Sequence, residues 1–133
     1  MTRKEVIEMK EVFTNKAPAA IGPYSQAVIA GDFLYASGAI GINPETGEVV
    51  DGIEKQTIQV MENLRTVLLE AGATFSQVAK FTIYLQDMDN FATVNEIYGR
   101  YLKKPYPARA TVEVSRLPKD VLVEIDAVVY LKG

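Results

Sequence analysis

The stretch PYPARATVEVSRLPKDVLVEID, residues 105–126, decides the fold. Ala110, Val112 and Val114 alternate with Arg109, Thr111 and Glu113, and beyond SRLPKD Val121, Val123 and Ile125 alternate with Leu122, Glu124 and Asp126. A period of two marks strands that bury one face. The stretch reads as strand, tight turn and strand, a half-buried hairpin with one apolar and one polar face. On that reading Arg109 and Glu124 share the polar face, an anion clamp beside a candidate base, and the functional site is expected there.

Upstream, residues 90–102 place Phe91, Val94, Ile97, Tyr98, Tyr101 and Leu102 on one side of a helix, which Pro105 and Pro107 end. Residues 78–86 read as a strand, with Phe81, Ile83 and Leu85 alternating with Lys80, Thr82 and Tyr84. Residues 53–71 are the clearest helix, striped by Ile53, Thr57, Val60, Met61, Leu64, Val67, Leu68 and Ala71. Asp51 and Glu54 have capping-box spacing, and Gly72 stands where a C-terminal glycine belongs. NPETG at 43–47 is a turn, and residues 27–29 and 33–36 form a short hairpin around Ala30-Gly31-Asp32. Residues 15–27 are loop, and residues 1–13, with Val6, Ile7, Val12 and Phe13, read as an edge strand with a frayed start.

Both helices are expected on one face of a mixed sheet, an α+β two-layer sandwich in one domain spanning 1–133. The strand at 121–129 is apolar on both faces over much of its length, since Leu122, Val128 and Tyr130 oppose the valines. One helical layer covers one face, so a homo-oligomer is expected to bury the other.

Composition limits the chemistry. Hydrophobic residues make up 48% of the 133, enough for an ordinary core. A net charge of −3 argues against non-specific nucleic-acid binding. No apolar run reaches the length of a membrane span, no signal peptide is read, and the cytosol is the expected compartment. There is no Cys and no His. That removes thiolate nucleophiles, the usual general base and the commonest transition-metal ligands. Activity without metal or cofactor is expected, from Arg, carboxylates, Tyr, Ser, backbone groups and water.

Four segments together resemble one family. They are APAAIGPYSQA at 17–27, ASGAIGINPETGEV at 36–49, NFATVNEIY at 90–98 and PARATVEVSRLPKDVLVEIDA at 107–127. The chain resembles the Rid proteins, reactive enamine/imine-intermediate deaminases, from about residue 14 to residue 130. The resemblance implies a chorismate-mutase-like α+β fold, assembled as a homotrimer with sites in the clefts between subunits. It implies hydrolysis of 2-imino acids such as 2-iminopropanoate and 2-iminobutanoate, formed from enamines such as 2-aminoacrylate, to 2-oxo acids and ammonia.

The same resemblance assigns roles. Arg109 holds the substrate carboxylate and Glu124 positions the hydrolytic water. Tyr24, Ser37, Gly38, Asn95 and Thr111 line the pocket, with Thr111 where some members carry a cysteine. Read without it, Arg109 is a structural ion pair with Asp126 or Glu113, Glu124 a solvated carboxylate, and Gly38 a close-packing glycine. Two other functions stay open: an endoribonuclease or translation inhibitor, and a non-catalytic module that binds 2-oxo acids.

Overall fold

The computed structural model describes residues 9–132. Strands β1 (Lys10–Val12), β2 (Ala27–Ala30) and β3 (Phe33–Ile40) precede helix α1 (Gly52–Glu70). Then come β4 (Val78–Leu85), helix α2 (Phe91–Gly99), β5 (Ala108–Glu113) and β6 (Val123–Tyr130). The sheet order is β1-β2-β3-β6-β4-β5. Val6 and Ile7 of the expected edge strand lie outside the described residues. The helix expected over 90–102 ends earlier, at Gly99, and continues as turns through Leu102.

The hairpin expected at 105–126 does not form. β5 runs parallel to β4, with Phe81 opposite Arg109, Ile83 opposite Thr111 and Leu85 opposite Glu113. β6 instead inserts between β3 and β4, antiparallel to both. The turn at 118–120 places Lys119 and Asp120 at φ 55 and 54 and sends the chain past β5 rather than back along it. The alternation of each strand was real; what it cannot encode is the partner.

Register then decides the faces. Side chains in one row of a sheet share a side. Phe81, Ile83 and Leu85 of β4 lie in the rows of Ala127, Ile125 and Val123 of β6, and all six are buried. This face meets Val60, Met61, Leu64 and Leu68 of α1 and Val94 and Tyr98 of α2 in one core. Phe81 is its centre, with its ring edge-to-face to Phe75 at 5.7 Å and to Tyr98 at 5.3 Å. Both helices therefore cover one face, as expected.

The α1 stripe is buried as its spacing requires, and the helix closes as expected at Gly72. The Gly72 amide donates to Leu69 and the Ala73 amide to Leu68, with Gly72 at φ +77, a Schellman closure. The helix start differs from expectation. The Asp51 side chain caps nothing, and Gly52 enters the helix at φ +83. The reciprocal capping pair sits at Thr74 and Gln77 instead.

The opposite face of the sheet has no helix among the described residues. It presents Tyr35, Val128, Tyr130 and Val112, with Tyr35, Tyr130 and Val112 each more than 40% exposed. No helix among the described residues is long and apolar enough to cross a membrane.

Candidate functional site: two half-sites on opposite faces

Arg109 stands on β5, the edge strand, in the row of buried Phe81, so its side chain leaves on the helix-covered side. There it meets α2, whose Phe91, Asn95 and Tyr98 share a face at helical spacing. The guanidinium carbon lies 5.3 Å from the ring centres of both Phe91 and Tyr98. Nη1 donates to Asn95 Oδ1 at 2.5 Å. The rings fix the plane and the amide fixes its rotation. The rest of the five-donor fork finds no protein acceptor among the described residues, and it opens on a recess of about 430 Å³ lined by Asn95, Tyr98, Tyr106 and Pro107.

The ion pair that spacing allowed is not made. Glu113 accepts instead from the Met88 amide at 2.8 Å, and Asp126 accepts from Tyr84. Thr111 follows Arg109 on the same side of β5, and its Oγ1 is buried with no hydrogen-bond partner. Such an atom carries a desolvation cost until something pairs with it.

Glu124 lies elsewhere. Its row holds Ile40 of β3 and Tyr84 of β4, so it projects from the open face. The expectation that Arg109 and Glu124 share a face is thus overturned. They are on opposite sides of the sheet, and β4 separates their strands, two spacings or about 10 Å. No rotamer change brings them to one small ligand within a single chain.

Glu124 is closely confined. A register shift in β3 between Ala36 and Ala39 brings the Gly38 backbone against it. A Cβ built on Gly38 would sit 1.9 Å from Glu124 Oε2 and 2.7 Å from its carboxyl carbon. Only glycine leaves this volume free, so the close-packing reading of Gly38 holds, and what it packs is the candidate acid. Burial, and then the Asp126 charge, raise the Glu124 pKa above the usual carboxylate value.

Ser37 and Tyr24 meet Gly38 in a separate recess on its α1 side. Ser37 Oγ donates to the Ser25 carbonyl at 2.7 Å, so its hydroxyl holds the loop. Tyr24 is 50% exposed, and its phenol oxygen accepts from the Ile21 amide at 3.4 Å. With Gly38, Ile40 and the Ala17–Ile21 loop segment these residues line a small, mostly apolar recess of about 60 Å³ against α1. The loop keeps its shape through Gln26, whose amide accepts from the Thr14 amide and donates to the Thr14 and Pro18 carbonyls.

The candidates therefore sort into two groups. Arg109 and Asn95 form one cluster, with Thr111 next along the same side of β5; Gly38 lies against Glu124 and also lines, with Ser37 and Tyr24, the recess toward α1. Two features escaped sequence reading. The Phe91–Tyr98 platform under Arg109 was present as an aromatic pair one face apart on α2, where it read as core. The contact from Tyr84 to Asp126, with the phenol donating to Oδ2 at 2.9 Å, depends on a register that composition does not reveal.

Comparison with known proteins places the chain. A family model described as endoribonuclease L-PSP matches residues 14–131. A RutC family protein of Pyrococcus horikoshii is 56% identical over 124 residues, 92% of this chain and 98% of that protein. The Arabidopsis thaliana protein named Reactive Intermediate Deaminase A, chloroplastic, is 45% identical over 126 residues, 94% of this chain and 67% of its own length. The crystal structure of E. coli TdcF with bound serine superposes with a TM-score of 0.89 at 37% identity, covering 92% of this chain and 99% of that one. On this agreement of sequence, length and fold, the chain belongs to the Rid family.

Proposed function

We propose that this protein is a deaminase of reactive 2-imino acids, with each site assembled from two copies of the chain. The observation that carries the reading is the separation of the two candidates: a pre-oriented arginine fork on one face, and a confined carboxylate on the other. One copy would supply Arg109, Asn95 and Thr111, and its neighbour Glu124, Gly38 and the Tyr24 loop. The uncovered face with Tyr35, Val128 and Val112 supplies an apolar surface for that contact, and a homotrimer is the proposed assembly. A relative crystallised with serine supports a ligand of amino-acid size and charge.

The chemistry suits this residue set. Arg109 would take the substrate carboxylate in two parallel bonds, with its plane already fixed by Phe91 and Tyr98. Water held by Glu124 attacks the imine carbon. A C–O bond forms, the water proton passes to Glu124, and from there to the imine nitrogen, giving a carbinolamine. Loss of the hydroxyl proton, again by way of Glu124 to nitrogen, forms the C=O bond as the C–N bond breaks. The products are a 2-oxo acid and ammonia. A carboxylate with a raised pKa is suited to both accepting and returning a proton near neutral pH.

The test is 2-oxo acid and ammonia formation from 2-aminoacrylate generated in situ by a pyridoxal-phosphate enzyme, measured with and without this protein. An unchanged rate at micromolar protein rejects the deaminase reading. RNA cleavage is the second reading, favoured by the description of the matching family model. Incubating labelled RNA with wild type and Arg109→Ala decides it, since cleavage that persists in the variant would not belong to this site.

A further inference from the structure

Glu124 is walled on its strand neighbours' sides by three groups. Gly38 on β3 closes one flank, Tyr84 on β4 is its row partner on the other, and Asp126 follows it on the same face of β6. Tyr84 does not bond Glu124. Its phenol donates to Asp126 Oδ2 at 2.9 Å, fixing the second carboxylate beside the first. From this geometry we infer that Asp126, held by Tyr84, is a positioning residue that adds to the effect of burial on the protonation of Glu124 and so shifts the pH range of the reaction. The inference rests on the deaminase reading for its kinetic consequence, though not for the coupling itself.

Within one copy the surroundings leave few competing charges; in the proposed assembly the Arg109 cation of the neighbouring copy faces Glu124 as well, and it is present alike in wild type and in the variants tested below. On this face of the sheet β3 presents Gly38, Ile40, Tyr35 and Phe33, and β5 presents Ala108, Ala110 and Val112. β4 adds Tyr84, Thr82 and Lys80, with Lys80 in the row of Val128, beyond Asp126 from Glu124 on this face. Tyr24 lies across Gly38 in the neighbouring recess. Asp126 is therefore the nearest formal charge along the strand, and like charges that close disfavour joint ionisation. Burial and the pull of Asp126 raise the pKa of Tyr84 as well, so the phenol keeps its proton and stays a donor.

Proton return to nitrogen gives this pairing a use. An acid that held its proton no better than an exposed glutamate would be almost wholly ionised at neutral pH and slow to hand the proton on. A like charge beside it raises the protonated share without burying Glu124 further.

The test combines carboxyl-carbon NMR titration of Glu124 in ligand-free protein with the pH profile of kcat/KM. Asp126→Asn keeps the acceptor for Tyr84 and removes the charge. The expected result is that both the Glu124 titration and the acid limb of the profile move to lower pH. Relative activity on the acid side then rises roughly threefold to tenfold. Tyr84→Phe leaves the Asp126 charge without its hydrogen-bond donor and is expected to move the same titration to higher pH; it carries the test alone should Asp126→Asn not fold. A Glu124 titration and limb unmoved in both variants would overturn the inference, whatever happens to total activity. If the titration moves but the wild type turns over no imino acid, the coupling stands and the deaminase reading fails.

Discussion

Arg109 and Glu124 are handled by the fold in opposite ways. Arg109 stands on an edge strand, largely in solvent, and its order comes from contacts to α2: two rings under its plane and one amide at its end. Glu124 stands on the central strand β6, half-buried, with one face against the bare backbone of Gly38. The cation keeps its solvent and gains orientation. The anion loses solvent and gains proton affinity. Binding a carboxylate needs an aimed charge, whereas moving a proton needs a group that is reluctant to stay charged.

The sharpest way to break this comparison is to divide the two halves between chains. Arg109→Ala and Glu124→Gln should each lose on the order of 10²–10⁴-fold in turnover. If each site takes its halves from different copies, co-refolding the two inactive variants should restore activity in about a quarter of the clefts of a randomly mixed ring. A mixture as inactive as its parents would show that both residues serve one chain's site.

Gly38→Ala tests the confined half. The added Cβ meets the far end of a flexible side chain rather than backbone, so Glu124 swings away and the sheet stays. Turnover is expected to fall about 10²-fold, the order that misplacement of a reacting group costs, with little change in melting temperature. A large fall in melting temperature with full activity per folded molecule would contradict it.

Arg109→Lys tests the oriented half. It keeps the charge but loses the fork and its stacking, and roughly 10²-fold in kcat/KM should go with it while folding is unaffected. Near-normal kcat/KM would mean that charge alone suffices at this position.

The smallest expected effect is on stability. The folded chain holds the Glu124 proton to a higher pH than the unfolded chain does. Between those two values the native state binds more protons, so stability falls as pH rises through the window. Glu124→Gln removes that penalty. Its melting temperature should exceed that of wild type at neutral pH and converge with it in acid, read by paired thermal scans. Wild type and variant falling together at all pH values would deny that Glu124 is strained when ionised.

Much of the fold was legible because helices advertise their own burial. Thr57, Val60, Met61, Leu64 and Leu68 recur at the spacing that one face of α1 requires, and they are buried. Strand alternation in 108–113 and 123–130 was equally plain. What misled was SRLPKD, whose turn chemistry suits a hairpin but here carries the chain past β5 to the middle of the sheet. Because side chains alternate, that change of partner put Arg109 and Glu124 on different faces. The resemblance named the candidate residues and implied clefts between subunits; that Arg109 and Glu124 leave the sheet on opposite faces was not legible, since it is a property of register. Tyr84 and Asp126 were missed for the same reason, being ordinary polar positions until β4 lies beside β6.

The position of β6 has a further consequence, for the order in which the molecule is made. Of the described strands, the last in the chain is the one that joins the others: without it β1-β2-β3 and β4-β5 are two separate ribbons with no strand pairing between them among the described residues. Their inner edges, β3 and β4, stay unpaired until residues 123–130 have left the ribosome. Unpaired strand edges invite pairing with another chain. Neighbouring nascent chains on one message would therefore compete with each chain's own final strand, and slowing translation before residue 123 should raise the aggregated fraction more than the same delay placed earlier, within α1.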